Sequence, residues 1–342
     1  MFKNFFMGIA AMAALTLVSC SSDDLNSLSD TPSKNEAISF DSYLGRSAVS
    51  VNGSRGSVLE IAGLKSSTDG FGVFGNYSPT DGEAYGSNLF DNQKVTYSST
   101  NNKWEYTPVK YWSPQGHIDF LAYAPRVDGT TLNGSSIEFT VADNAADQKD
   151  LLWANAANQT KQNNSGTDKK VKFQFAHALS RLGYTVKTNT TSSDVPITLK
   201  KITLAGSKDG TQKAFYPKGT INLSTGVWTP STTDEKQNFV WLSTDKTLDS
   251  DTKNSDKEYL FVIPQNFSKT EENADALFVI VEYTIKYGDE KPVTYTVSSQ
   301  LKQNFEQGKA YSINLTLGLT PIEFDADVTP WKDTDQKDVY WN

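Results

Sequence analysis

The chain of 342 residues holds one cysteine, two histidines and three methionines. A single thiol excludes an internal disulfide and a cysteine-built metal centre. His117 and His177 each sit in a strand pattern with no partner ligands at metal-binding spacing, so no metal site is expected. Basic residues are the minority: 32 Lys and Arg stand against 40 Asp and Glu, a formal net charge of −8. With no basic cluster anywhere, nucleic acid is excluded as a partner. Catalytic signatures are also missing. No serine lies in a G-x-S-x-G elbow, and the acids are scattered over most loops without marking a pair. The stretch "TLDSDTKNSD" places Lys253 where a calcium loop needs an oxygen ligand, and it lacks the loop's glycine. Gly70, Gly72 and Gly75 formally match G-x-G-x-x-G, but they fall inside an aromatic strand and a turn follows, not a helix. Glycine in such a strand marks a bulge or a close backbone approach. No enzyme activity and no cofactor are expected.

Long apolar runs are almost absent too, with one exception. Phe5 to Val18 is nearly unbroken, follows Lys3 and ends Leu17-Val18-Ser19-Cys20. It is short for a membrane-spanning helix, which needs about 20 apolar residues, and it fits the apolar region of a signal peptide. The ending is the lipobox pattern of bacterial lipoproteins, in which Cys20 becomes the acylated first residue of the mature chain. Two or more acyl chains give stable anchoring. Residues 1–19 are therefore expected to be a lipoprotein signal peptide. Residues 20–36, polar and containing Pro32, read as a short tether. Ser21-Ser22-Asp23-Asp24 resembles the acidic tag that sends some such lipoproteins to the outer surface.

What remains is rich in aromatics, 12% of the chain, and in Thr, Ser, Asn and Val. These residues suit half-buried pleated surfaces and turns. The hydrophobic period is two almost everywhere: "AISFDSY", "GFGVFGNYS", "KVTYS", "KWEYTPV", "HIDFLAYAP", "SIEFTVA", then "VKFQFAHALSRLGYTVKT", "ITLKKITLAG", "LFVIVEYTIKY", "VTYTVSSQL", "AYSINLTLG" and "IEFDADV". Many short strands separated by turn signals predict an all-β chain of two β-sandwich domains in series. The polar stretch at 158–170 marks the expected boundary, giving domains over 37–165 and 166–342. Residues 243–258 read as a long loop, and "QNFEQGKAY" as the place for a turn of helix. The seven tryptophans fall at strand ends or in apolar runs, where core packing is the default and a sugar-stacking platform the sharper alternative.

The run "LFDNQKVTYSSTNNKWEYTPVKYWSPQGHIDFLAYAP", followed by "QKDLLWA", "VKFQFAHALSRL", "FEQGKAYSINLTL" and "IEFDADVTPW", resembles in order the blocks of the fimbrillin-like pilus lipoproteins of the Bacteroidales. The resemblance implies sandwiches of transthyretin-like topology and a role as stalk, tip or anchor subunit of surface fimbriae, in adhesion. It implies a lipid-anchored precursor at the outer membrane and other pilus subunits as partners, with a host or bacterial surface glycan or protein as a ligand at a tip. It also implies assembly by strand exchange after a trypsin-like cut near the N-terminus, for which Arg46 and Arg55 are the matching residues. The rival reading is a surface glycan-binding lipoprotein.

The sequence adds a candidate donor. "AISFDSY" and "PIEFDADV" share Ile-x-Phe-Asp, so Ile322 and Phe324 repeat the spacing of Ile38 and Phe40, and Val328 extends the same face. The alternative is that 321–331 closes its own domain. Replacement of Cys20 by alanine should abolish incorporation of labelled palmitate and leave the chain out of the outer membrane. Equal labelling of both proteins would refute the lipobox reading.

Overall fold

The computed structural model describes residues 36–44, 59–80, 85–164, 170–189, 195–242, 245–248, 253–254, 259–269, 275–319 and 325–330. Cys20, Arg46, Arg55, Ile322 and Phe324 lie outside them. The described residues are almost entirely strand, in keeping with the all-β expectation.

The first sheet has seven strands: β1 (Phe40–Leu44), β2 (Phe71–Ser78), β3 (Phe90–Ser98), β4 (Lys103–Glu105), β5 (His117–Ala124), β7 (Leu152–Gln159) and β8 (Val171–His177). Their order is β1-β8-β7-β5-β2-β3-β4. Every residue of β5 is buried, because the middle of the sheet is covered on both faces. The period of two then divides the strand: Ile118, Phe120, Ala122 and Ala124 enter one core, Leu121 and Tyr123 the other. β2 divides likewise, with Phe71 and Val73 on one side and Phe74 on the opposite one. The glycines of "GFGVFG" make room for close packing. A Cβ on Gly72 would lie 2.5 Å from the Tyr123 ring, and one on Gly70, at φ +60°, 2.0 Å from the Val95 carbonyl oxygen. The register shifts between Val73 and Gly75.

The second half forms facing sheets. One holds β10 (Ile197–Ala205), β13 (Phe239–Leu242), β14 (Lys246–Leu248), β18 (Leu277–Ile285) and β19 (Val293–Leu301). The other holds β9 (Ser180–Thr188), β15 (Lys253–Asn254), β16 (Leu260–Val262), β21 (Ala310–Leu317) and β22 (Asp325–Pro330), with β9 and β21 parallel. Between them Ile202, Leu204, Val279, Val281, Ile313 and Leu315 are buried, and this core runs on to Phe74, Leu121 and Tyr123 of the first sheet.

The two halves interlock. β8 lies beyond the expected 165/166 boundary, yet it pairs with β1 and β7 in the first sheet. In return β6 (Ser136–Thr140) pairs with β11 (Lys218–Asn222), which continues into β12 (Trp228–Pro230). Only Ala178 and Leu179, both buried, separate β8 from β9. The Trp228 indole N–H donates to the Ala178 carbonyl at 2.7 Å, and the Asn155 amide donates to Ser224 at 2.9 Å. Small differences from the sequence reading have local causes. The stretch 243–258 contributes β14 and β15 where a loop was expected. "QNFEQGKAY" forms the short strand β20 (Asn304–Phe305) and a turn at Gly308, φ +64°, with no helix. One six-residue helix, Ile61–Ser66, is too short to show a period.

Gly226, at φ +77°, turns the β11–β12 hairpin against the ring of Trp153, which a Cβ would approach to 2.3 Å. Gly226→Ala should therefore lower stability by about 1–3 kcal/mol, seen as a reduced urea midpoint. An unchanged midpoint would mean that the hairpin does not fasten the two halves.

Candidate functional site

The site is the seat of the first strand. Side chains of β1 alternate, and Ile38, Phe40 and Ser42 point inward while Tyr43 is exposed. Phe40, 2% exposed, sits in a cage of rings. Centroid distances are 5.4 Å to Tyr106, 5.5 Å to Phe120 and Phe173, 5.6 Å to Phe90 and 6.5 Å to Phe71. Burial of Ile38 and of Phe40 contributes about 1.5–3 kcal/mol each, and well-oriented ring pairs add about 0.5–1.5 kcal/mol apiece.

Main-chain bonds hold the segment along one edge of β1 and, on the other, at residues 36–38. On one side β1 runs parallel to β8, from Phe40 opposite Val171 to Leu44 opposite Phe175, and the Val171 N–H donates to Ser39 at 2.8 Å. On the other, the Ile38 N–H donates to the Lys110 carbonyl and the Trp112 N–H to the Glu36 carbonyl, both at 2.8 Å. The Tyr106 hydroxyl donates to the Ile38 carbonyl at 2.7 Å. The block "KWEYTPVKYW" is thus a clamp on the first strand, a role the sequence reading did not assign to it. The tyrosine in that block was the available signal.

One inward position is poorly served. Ser42 is 6% exposed, and its hydroxyl has no hydrogen-bond partner among the described residues. A buried hydroxyl left unpaired costs about 1–3 kcal/mol.

The other predicted residues are placed as follows. Val328, on β22, is half-buried against the second core and pairs with Ile313 of β21. Ile38 and Phe40 belong to the first core, so the structure does not bring Val328 to them. His177 Nδ1 is 2.7 Å from Asp150 Oδ2, which also accepts from the Leu59 N–H at 3.1 Å. His117 Nε2 is 3.3 Å from Asp119. Among the described residues Trp104, Trp112 and Trp241 are buried, and Trp153 and Trp228 are half-buried in packing contacts.

Burial pushes the Tyr106 phenol up to about 12, against the opposing hydrogen bond at Lys110. A tyrosine in the unfolded chain titrates near 10. The folded value is raised, so its contribution is complete below pH 10 and is lost as pH rises through 12. Tyr106→Phe should flatten the fall of stability across that window and cost about 1 kcal/mol at neutral pH. Superimposable stability profiles of the two proteins from pH 8 to 12 would refute the clamp.

Solved structures share this architecture. A fimbrial protein from Bacteroides vulgatus aligns at a TM-score of 0.64 and 21% identity, over 86% of this chain and 99% of that one. Candidate cell adhesion proteins from Bacteroides uniformis and Bacteroides ovatus each align at 0.51, with 17% and 14% identity. They cover 86% and 88% of this chain and 99% of their own. No curated protein matches. The family model described as fimbrillin-like matches residues 61–331, and the chain belongs to the fimbrillin-like family.

Proposed function

We propose that the chain is a subunit of surface fimbriae, acting in adhesion, and that its first strand is a removable plug. Cys20 carries the lipid that holds the precursor at the outer membrane. A trypsin-like protease cuts after Arg46, two residues beyond the end of β1, or after Arg55. The strand leaves, and a strand from a neighbouring subunit fills the seat. The observation that carries this reading is the composition of the seat. Two apolar side chains and main-chain bonds hold β1, and both can be supplied by any strand of like alternation.

The donor we propose is the segment of Ile322, Phe324, Ala326 and Val328 from another copy or a related subunit. In register with Ile38 and Phe40 it puts Ala326 where Ser42 lies. That removes the buried hydroxyl, a gain of roughly 1–3 kcal/mol at this one position. To donate, β22 must lift from β21, which loses an edge ladder of six pairs. The uncut first strand delays that exchange by keeping the acceptor edge covered.

Phe40→Asp should collapse the first sandwich, at a cost on the order of 3–5 kcal/mol for a lost core aromatic. Phe324→Asp should give a folded, exported chain that does not polymerise after trimming. Native gels and circular dichroism distinguish the outcomes. Unfolding of the C-terminal half by Phe324→Asp would assign the segment to its own sandwich and end its candidacy as donor.

A further inference from the structure

Sheet edges are pairing templates, and proteins blunt them with short strands, charges, prolines or irregular register. Most edges here are blunted. β4 and β12 have three residues each, β13 meets β10 across a register shift, and β22 carries Asp325, Asp327 and Pro330. β1 has five residues, one of them Asp41, and lies against β4 and the Ile61–Ser66 helix. β19 has none of these devices. It runs nine residues, Val-Thr-Tyr-Thr-Val-Ser-Ser-Gln-Leu, with no charge and no proline. Its ladder with β18 is unbroken from Leu277–Leu301 to Ile285–Val293. β22 approaches it from the facing sheet, but among the described residues no strand hydrogen-bonds its outer edge.

We propose that this edge binds the same edge of a second copy of the chain, antiparallel about a two-fold axis at Val297. The charge distribution selects that occupant. The chain carries −8 overall, and β19 is an uncharged strip along which two such acidic molecules meet without facing acids. The pattern is also self-complementary. Pairing about Val297 sets Thr296 opposite Ser298, Thr294 opposite Gln300, Tyr295 opposite Ser299 and Val293 opposite Leu301 of the partner. Of these, Thr296 with Ser298 is a hydroxyl pair of the kind favourable across antiparallel strands. The exposed positions Thr294, Thr296, Ser298 and Gln300 meet one another, while buried Val297 and Leu301 stay on the core face. The result is one continuous sheet across two molecules, an isologous contact that closes on itself. In a fibre it would join subunits side by side. It needs no cut and no vacated groove in the first sandwich, although the donor strand proposed above, β22, packs near β19.

The test is sedimentation velocity of the exported chain, released from membranes in mild detergent, beside two double variants. Wild type should sediment as a dimer with concentration-dependent dissociation. Thr296→Lys with Ser298→Lys places like charges face to face and should weaken the dimer by about tenfold or more. Thr296→Lys with Ser298→Glu places opposite charges face to face in the proposed register and should restore it. A monomeric wild type at all concentrations, a dimer indifferent to the lysine pair, or equal dissociation of both variants would each overturn the proposal.

Discussion

The first domain depends on one side chain finding a cage. Phe40 touches rings from β2, β3, β5 and β8 and from the Tyr106 segment, so a single strand of five residues ties together parts of the chain more than 100 positions apart. The seven-stranded sheet curls until its two ends, β1 and β4, come into contact. The first strand closes that curl. Without it the cage would face water along one side, and five aromatic side chains would lose a packing partner at once. A fold built this way needs a strand in that groove, with an aromatic ring at the position of Phe40.

The cage is held from behind. The second core runs under the same sheet through Phe74, Leu121 and Tyr123, and the β8–β9 junction is two buried residues long. The β11–β12 hairpin adds Trp228 on Ala178 and Gly226 on Trp153. Interiors are close-packed and transmit strain. Of the strands that supply rings to the cage, β2 and β5 are fixed this way, with their opposite faces buried in the second core. The Leu59 N–H is tied to Asp150 beside His177, which fixes the approach to the Ile61–Ser66 helix.

Much of this was legible in the sequence, and the part that was not shares a cause. Alternation in "AISFDSY" identified Ile38 and Phe40 as inward residues, while "HIDFLAYA" read as one more strand of period two and its burial on both faces went unread. Glycines inside an aromatic strand pointed to close packing, which Gly72 against Tyr123 bears out. Main-chain pairing leaves no comparable trace. Nothing in "VKFQFAH" says that it lies parallel to a strand 130 residues earlier, and the carbonyls of Glu36 and Lys110 belong to no particular side chain. The clamp was legible only in its one side-chain bond, Tyr106 to Ile38. Short pieces such as β14, β15 and the Ile61–Ser66 helix fall below the length at which a period can be counted.

The arrangement of polar groups around β1 separates holding from choosing. Main-chain bonds to Val171, Lys110 and Trp112 would serve any extended segment, so they fix direction and depth but not identity. Identity must come from the inward positions. The Phe40 cage demands an aromatic ring, and the Ile38 position a branched aliphatic. At Ser42 the resident strand presents a hydroxyl that has no hydrogen-bond partner among the described residues. A strand with a small apolar residue there keeps every favourable contact and drops the one unfavourable burial. The strand exchange proposed above draws on this difference: the resident strand completes the fold, and position 42 is where another strand would improve on it.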